Sequence, residues 1–182
     1  MTNGSANERQ RLPFKVDPFR FAHDAVELES SLPLSQMTRL SAMLYQPDGE
    51  IEVNLAFSVD VLGVSMLQGR IQASLELICQ RCLEPVHFEV DSSLALGFAR
   101  SAAGMEQISS SLEPVRAEAG QVNLLDLLED EIMLALPQIP RHKENECQAS
   151  AIMDEPAELE AQPEERKNPF SILAGLKTNK EN

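Results

Sequence analysis

The chain has 182 residues, 43% of them hydrophobic and 24% charged, which fits one soluble globular domain with tails. Its formal charge of −14 excludes a broad basic surface that would wrap nucleic acid by releasing counterions. No apolar run approaches the roughly 18 residues that cross a bilayer, and the polar start MTNGSANERQRLPF lacks the apolar core of a secretory signal.

Residues 1–11 read as disordered. Pro13, Pro18 and the Asp17-Pro18 step predict an extended entry segment rather than a helix. Val26 and Leu28 alternate with Glu27 and Glu29, the pattern of a short strand. Ser35 is a candidate cap for a short helix carrying Leu40, Met43 and Leu44 on one face. Pro47-Asp48-Gly49 marks a turn.

The clearest β region follows. Ile51, Val53, Leu55, Phe57 and Val59 alternate with Glu52, Asn54, Ala56, Ser58 and Asp60, a period of two that buries one face. Gly63 signals a turn and Gly69 a bulge. Ile71, Ala73, Leu75, Leu77 and Cys79 alternate again, and Val86, Phe88, Val90, Leu94, Leu96 and Phe98 continue beyond. Strands are expected near 51–59, 70–79 and 86–98, three or four in all and antiparallel.

Residues 99–121, rich in Ala, Ser, Gly and Glu, read as a mobile excursion. Asn123 then caps a helix with Leu124, Leu128, Ile132 and Ala135 in one stripe and Asp126, Glu129 and Asp130 on the opposite, solvated side. Pro137 stops it. Residues 143–167 form an acidic linker with little capacity for a core. Order-forming character returns at 168–177, read as NPFSILAGLK, where Asn168 caps, Pro169 suits the first helical position, and Phe170, Leu173 and Leu176 recur at helical spacing.

The expected architecture is α+β: a mostly antiparallel sheet or partly closed barrel over 12–142, packed by one main helix, with a short C-terminal docking helix on a flexible tether. Charge is unevenly spread along it. Residues 1–20 carry four basic and two acidic side chains and residues 166–182 four and one, leaving −19 on the stretch between. Such a body repels RNA phosphates and attracts basic proteins.

Three cysteines in a chain without an export signal argue for reduced thiols or metal ligands. Cys79-x-x-Cys82 falls at a strand end and its turn, where two thiolates can reach one metal. His142 and Cys147 follow the helix that packs near the strands and are the candidates to complete a Cys3His zinc site. His87 is the weaker candidate, being out of phase with the apolar face. The plain alternative makes Cys79 a small core side chain and Cys82 a turn residue. Redox use of the CxxC fits poorly, because thioredoxin-like chemistry needs the first Cys at a helix N-terminus in a βαβ setting. Arg81, between the cysteines, is read as pointing outward, toward an RNA phosphate or Glu84.

Four stretches in order resemble the YceD family of large ribosomal RNA subunit accumulation proteins: Leu12-Pro13 with Asp17-Pro18, Arg20 and Ala22; Cys79-Gln80-Arg81-Cys82; LLDLLEDEIMLALP at 124–137; and NPFSILAGLK at 168–177. The resemblance implies a bacterial cytosolic factor, or an organellar relative, needed for 23S ribosomal RNA to accumulate or mature. It carries over no catalytic residue. The expected role is therefore a non-catalytic ribosome-biogenesis factor, cytoplasmic and not membrane-bound. It would bind a basic partner protein of ribosome assembly or rRNA processing, with rRNA contacted indirectly. Phe170, Leu173 and Leu176 are read as the partner-binding face of a groove-binding helix. The alternatives are direct rRNA binding through the basic termini and the Arg81 turn, and, third, a thiol oxidoreductase.

Overall fold

The computed structural model describes residues 11–143 and 146–148. The expected docking helix with Phe170, Leu173 and Leu176, and most of the acidic stretch, lie outside these residues. The entry segment differs from expectation at once. After a two-residue strand β1 (Lys15–Val16), the Asp17-Pro18 step opens helix α1 (Pro18–His23). The Asp17 carboxylate accepts from the N–H of Phe19 at 3.0 Å and of Arg20 at 3.1 Å, while Pro18 occupies a position that needs no N–H donor. The sequence reading weighed proline as a breaker and overlooked it as a starter.

Strand β2 (Glu27–Pro33) follows, with Leu28 and Leu32 inward. The chain then makes a short 3-10 turn at Leu34–Gln36, a one-turn helix α2 (Thr38–Ser41) and strand β3 (Leu44–Gln46). Ser35 does not cap α2. That task falls to Glu129, far along the chain, whose Oε1 accepts from the N–H of Arg39 at 2.6 Å and of Leu40 at 2.9 Å. Met43 is exposed and Leu44 belongs to β3, so the expected helical face ends at Leu40.

The alternating region forms three long strands: β4 (Glu50–Val59), β5 (Ser65–Ile78) and β6 (Pro85–Ala99). Ile51, Val53, Leu55 and Phe57 face the core from β4, and Leu67, Ile71, Leu75 and Leu77 from β5. Gly69 is not a bulge. It pairs Leu55 in unbroken register, and a Cβ there would fall 2.6 Å from the Asn54 carbonyl oxygen and 2.7 Å from Leu55 Cδ2. The glycine serves close strand approach rather than an extra residue.

Residues 99–121, expected as a mobile excursion, hold a one-turn helix α3 (Ala102–Met105) and a strand β7 (Glu113–Arg116) that pairs parallel to β6. Gly97 makes this possible, because a Cβ on it would lie 2.7 Å from Ile108 Cγ2. The missing side chain leaves a seat into which Ile108 and Leu112 fold back.

Strand β8 (Val122–Asn123) pairs β1 and leads into the main helix α4 (Leu124–Ala135). Asn123 caps it as expected, its Oδ1 accepting from Leu125 N–H at 3.1 Å, and Leu124, Leu128 and Ile132 are buried on the sheet.

The larger sheet runs β2-β4-β5-β6-β7, with β3 added against β5. Its two edges are separate, so the α+β sheet is open and not a closed barrel. On its core face Phe21 of α1 meets Phe57 edge-on, ring centroids 5.3 Å apart, and Phe57 stacks toward Phe98 at 6.4 Å.

One acid of α4 departs from the helical-wheel expectation. Glu129 is not solvated but buried at 3% exposure. Besides capping α2, its Oε2 accepts from Arg39 Nε at 2.8 Å, and Asp130 takes Arg39 Nη1 at 2.6 Å. A buried carboxylate persists when donors satisfy its oxygens, as they do here. Among the described residues, no helix is long and apolar enough to cross a membrane.

Candidate metal centre

β5 runs out at Ile78, and the chain turns through residues 79–84 before β6 begins at Pro85. Two backbone bonds close the turn: Cys79 N–H donates to the Glu84 carbonyl (3.0 Å) and Leu83 N–H to the Cys79 carbonyl (2.9 Å). Leu83 takes a left-handed φ of 63°, a conformation that costs a side-chain-bearing residue about 1–2 kcal/mol. That strain accompanies a turn tight enough to set Cys82 beside Cys79.

The second half arrives from α4. The helix ends before Pro137, and the following segment lies along the cysteine turn without joining a strand. Gln80 N–H donates to the Pro140 carbonyl at 2.9 Å, and Arg81 Nη2 donates to the His142 carbonyl at 2.6 Å. These bonds lay the His142 ring over Cys82, with Nδ1 3.4 Å from Sγ. The other ring nitrogen, Nε2, is 2.9 Å from the Pro85 carbonyl oxygen. A carbonyl only accepts, so Nε2 carries the proton and Nδ1 keeps its lone pair toward the thiols. Cys147 closes the set after a turn in which Glu146 N–H donates to the Lys143 carbonyl at 3.0 Å.

The structure thus brings together Cys79, Cys82, His142 and Cys147, whose three Sγ atoms and one ring nitrogen all lie within 4.8 Å of one another. Cys79 is 0% and Cys147 5% exposed. Four donors of this kind, converging from two segments that backbone bonds hold side by side, can hold a metal ion. A purely packing role for Cys79 accounts for its burial but not for the convergence of the other three.

The electrostatics favour thiolate at one corner. Backbone N–H groups, that of Cys82 above all, outweigh burial and draw the Cys79 thiol down to about 5. At Cys82 the Glu84 N–H pulls the same way, but burial and the neighbouring thiols Cys79 and Cys147 outweigh it and hold this thiol up. One thiol of the adjacent pair is thus the natural anion and the other the proton holder.

Arg81, expected to point outward, instead turns its guanidinium to the His142 carbonyl. It does not pair with Glu84, and its Nε is buried without a partner among the described residues. It ties the two halves of the site together. His87 stays apart on the exposed sheet face beside Glu89 and Ser74. Of Asp126, Glu129 and Asp130, expected on the solvated side of α4, the last two are held by Arg39.

Cys79, Cys82, His142 and Cys147 stand out in the sequence by residue type, but the groups that orient them do not. The Pro85 carbonyl fixes the imidazole, and neither it nor the left-handed Leu83 has a side-chain signature. The glutamine and arginine between the cysteines were the available signal, since both bond to the 140–142 segment.

The sequence model of the family described as Large ribosomal RNA subunit accumulation protein YceD matches residues 67–177. The chain belongs to this family. The match takes in the cysteine turn, α4, His142 and Cys147, and runs on to Lys177. A curated relative from Haemophilus influenzae, named Large ribosomal RNA subunit accumulation protein YceD, is 28% identical over 171 residues, covering 93% of this chain and 98% of the relative. No solved structure matches the chain.

Proposed function

We propose that the chain is a non-catalytic factor supporting accumulation or processing of 23S rRNA in the large ribosomal subunit, built around one structural zinc ion. It works through a basic protein partner in the cytoplasm. The observation that carries the zinc is the closed set of four donors. Zinc bound tetrahedrally at about 2.3 Å to sulfur and about 2.0–2.1 Å to nitrogen needs donors roughly 3.5–3.8 Å apart, and the four donor atoms here lie within 4.8 Å. Catalytic zinc sites keep an open position for water, whereas structural sites use four protein ligands. The His142–Pro85 bond is the outer contact that fixes a metal-binding imidazole.

The family description supplies the rRNA role, and the chain's charge supports the kind of partner. A body of −19 between its basic ends recruits a basic protein and disfavours a broad RNA interface. Phe170, Leu173 and Leu176 are the apolar residues assigned to that partner. Direct rRNA binding through Arg81 loses support, because its guanidinium is already bound to a carbonyl.

In-cell crosslinking with mass spectrometry tests this reading. A basic ribosomal or rRNA-processing protein joined to the chain is the expected product. Crosslinks to rRNA alone would overturn the partner assignment.

A further inference from the structure

We propose that Arg100, held between the Phe19 ring and the Gly120 turn with Arg20 on the adjoining helix, is a phosphate-binding point for single-stranded RNA. The Arg100 guanidinium carbon lies 3.8 Å from the centroid of the Phe19 ring, a cation–π arrangement that fixes the plane of the group. On another side it meets the turn that follows β7. A Cβ at Gly120 would fall 3.2 Å from Arg100 Nη1, so the guanidinium packs closely against this turn. The same turn places both Ala119 (φ 48°) and Gly120 (φ 76°) in the left-handed region, a conformation that glycine takes at no steric cost.

What Arg100 lacks is as informative as what holds it. The described residues include many carboxylates: Arg39 is matched to two of them, Glu129 and Asp130, and Arg70 to one, Asp91. Among the described residues, no carboxylate or carbonyl accepts from Arg100, although Glu118 lies in the same turn. Arg20 directly follows Phe19 on α1, is exposed, and likewise has no side-chain partner among the described residues. Asp17, the acid nearest in sequence, gives a carboxylate oxygen to the N–H groups of α1. An exposed guanidinium, oriented in advance and lacking a counter-charge, keeps its N–H edge free for the forked bond that a phosphate accepts.

This surface lies at the end of β6 opposite to Pro85 and the metal centre. It also reconciles a strongly acidic chain with work on rRNA. General attraction to RNA is low, so contact is confined to one oriented point, and its salt dependence is correspondingly shallow.

The test is an amide-resolved NMR titration of the full chain with a single-stranded RNA ten-mer at low salt. The expected shifts fall at 17–20, 99–101 and 117–120. They are lost in Arg100→Gln and retained in Arg70→Gln, whose parent residue is paired with Asp91. Arg100→Lys keeps the charge but not the fork and is expected to weaken binding by roughly tenfold. It also decides the matter should the glutamine variant fail to fold. An absence of shifts, shifts centred on Arg81 and Arg141, or full binding by Arg100→Lys would overturn the proposal. Equal shifts with a polyglutamate peptide would overturn it in favour of an acidic protein partner.

Discussion

His142 donates from Nε2 to the carbonyl of Pro85, 2.9 Å away, and this one bond turns its other nitrogen toward three cysteines. Pro85 is the first residue of β6, so the sheet itself sets the imidazole. His142 arrives from beyond α4, and its orientation couples the end of the helix to the start of a strand. A metal held there would fasten the two together.

Removing a donor should therefore act on metal and fold at once. Cys82→Ser and His142→Ala are expected to release the ion and lower thermal stability, because binding of a structural metal is linked to folding. Addition of a chelator to the parent chain should reproduce the loss. Calorimetry on the three samples checks this, and unchanged melting in all of them would contradict it.

Metal uptake should also depend on pH in a definite direction. Cys79, drawn down to about 5, is already thiolate at neutral pH and contributes little proton release there. Cys82, held up, must lose its proton to bind. Affinity should thus fall as pH is lowered from 8 toward 6, with protons released on binding in a weakly buffered titration. Flat affinity across that window would count against thiolate ligation.

Glu129 offers a test away from the site. Glu129→Ala strips the cap from α2 and leaves the Arg39 and Leu40 N–H groups without their acceptor, an expected cost of about 2–4 kcal/mol. Burial pushes this carboxyl up, but the Leu40 N–H, together with the guanidinium and N–H of Arg39, holds it below its usual range overall. A lowered carboxyl contributes stability above its unfolded value, about 4.3, and loses it as pH falls through the folded one. The gap between parent and Glu129→Gln should accordingly be full at pH 7 and close in acid. Urea unfolding at pH 7 and pH 3 measures both. Arg70→Ala, breaking an exposed pair with Asp91, should cost no more than about 1 kcal/mol.

Gly69→Ala should destabilise by about 1–3 kcal/mol, since the new methyl must displace the Asn54 carbonyl or the Leu55 side chain. An unchanged unfolding midpoint would show that β4 and β5 can separate at little cost.

These positions show where the sequence was legible. Alternation at 51–59 and 86–98 marked β4 and β6 because each strand buries one face of an antiparallel sheet, the pattern that survives in a single sequence. Asn123 and Pro137 bounded α4 because caps and breakers act locally. Glu129 was misread since its acceptors' partners, Arg39 and Leu40, lie some ninety residues earlier, and helical spacing alone assigns an acid to water. β7 was missed for a similar reason: it is four residues long, contains Pro114, and depends on the seat at Gly97. Within the site, residue type exposed the donors, while the orienting groups were a backbone carbonyl and a strained turn that no residue type announces.

Native mass spectrometry of the full chain, purified without chelator, is the most direct measurement of the central claim. One zinc per chain, lost in Cys82→Ser and retained in Arg70→Gln, is the expected result. Well under one equivalent of any metal in the parent chain would contradict a structural metal centre and return Cys79 to the role of a small buried side chain.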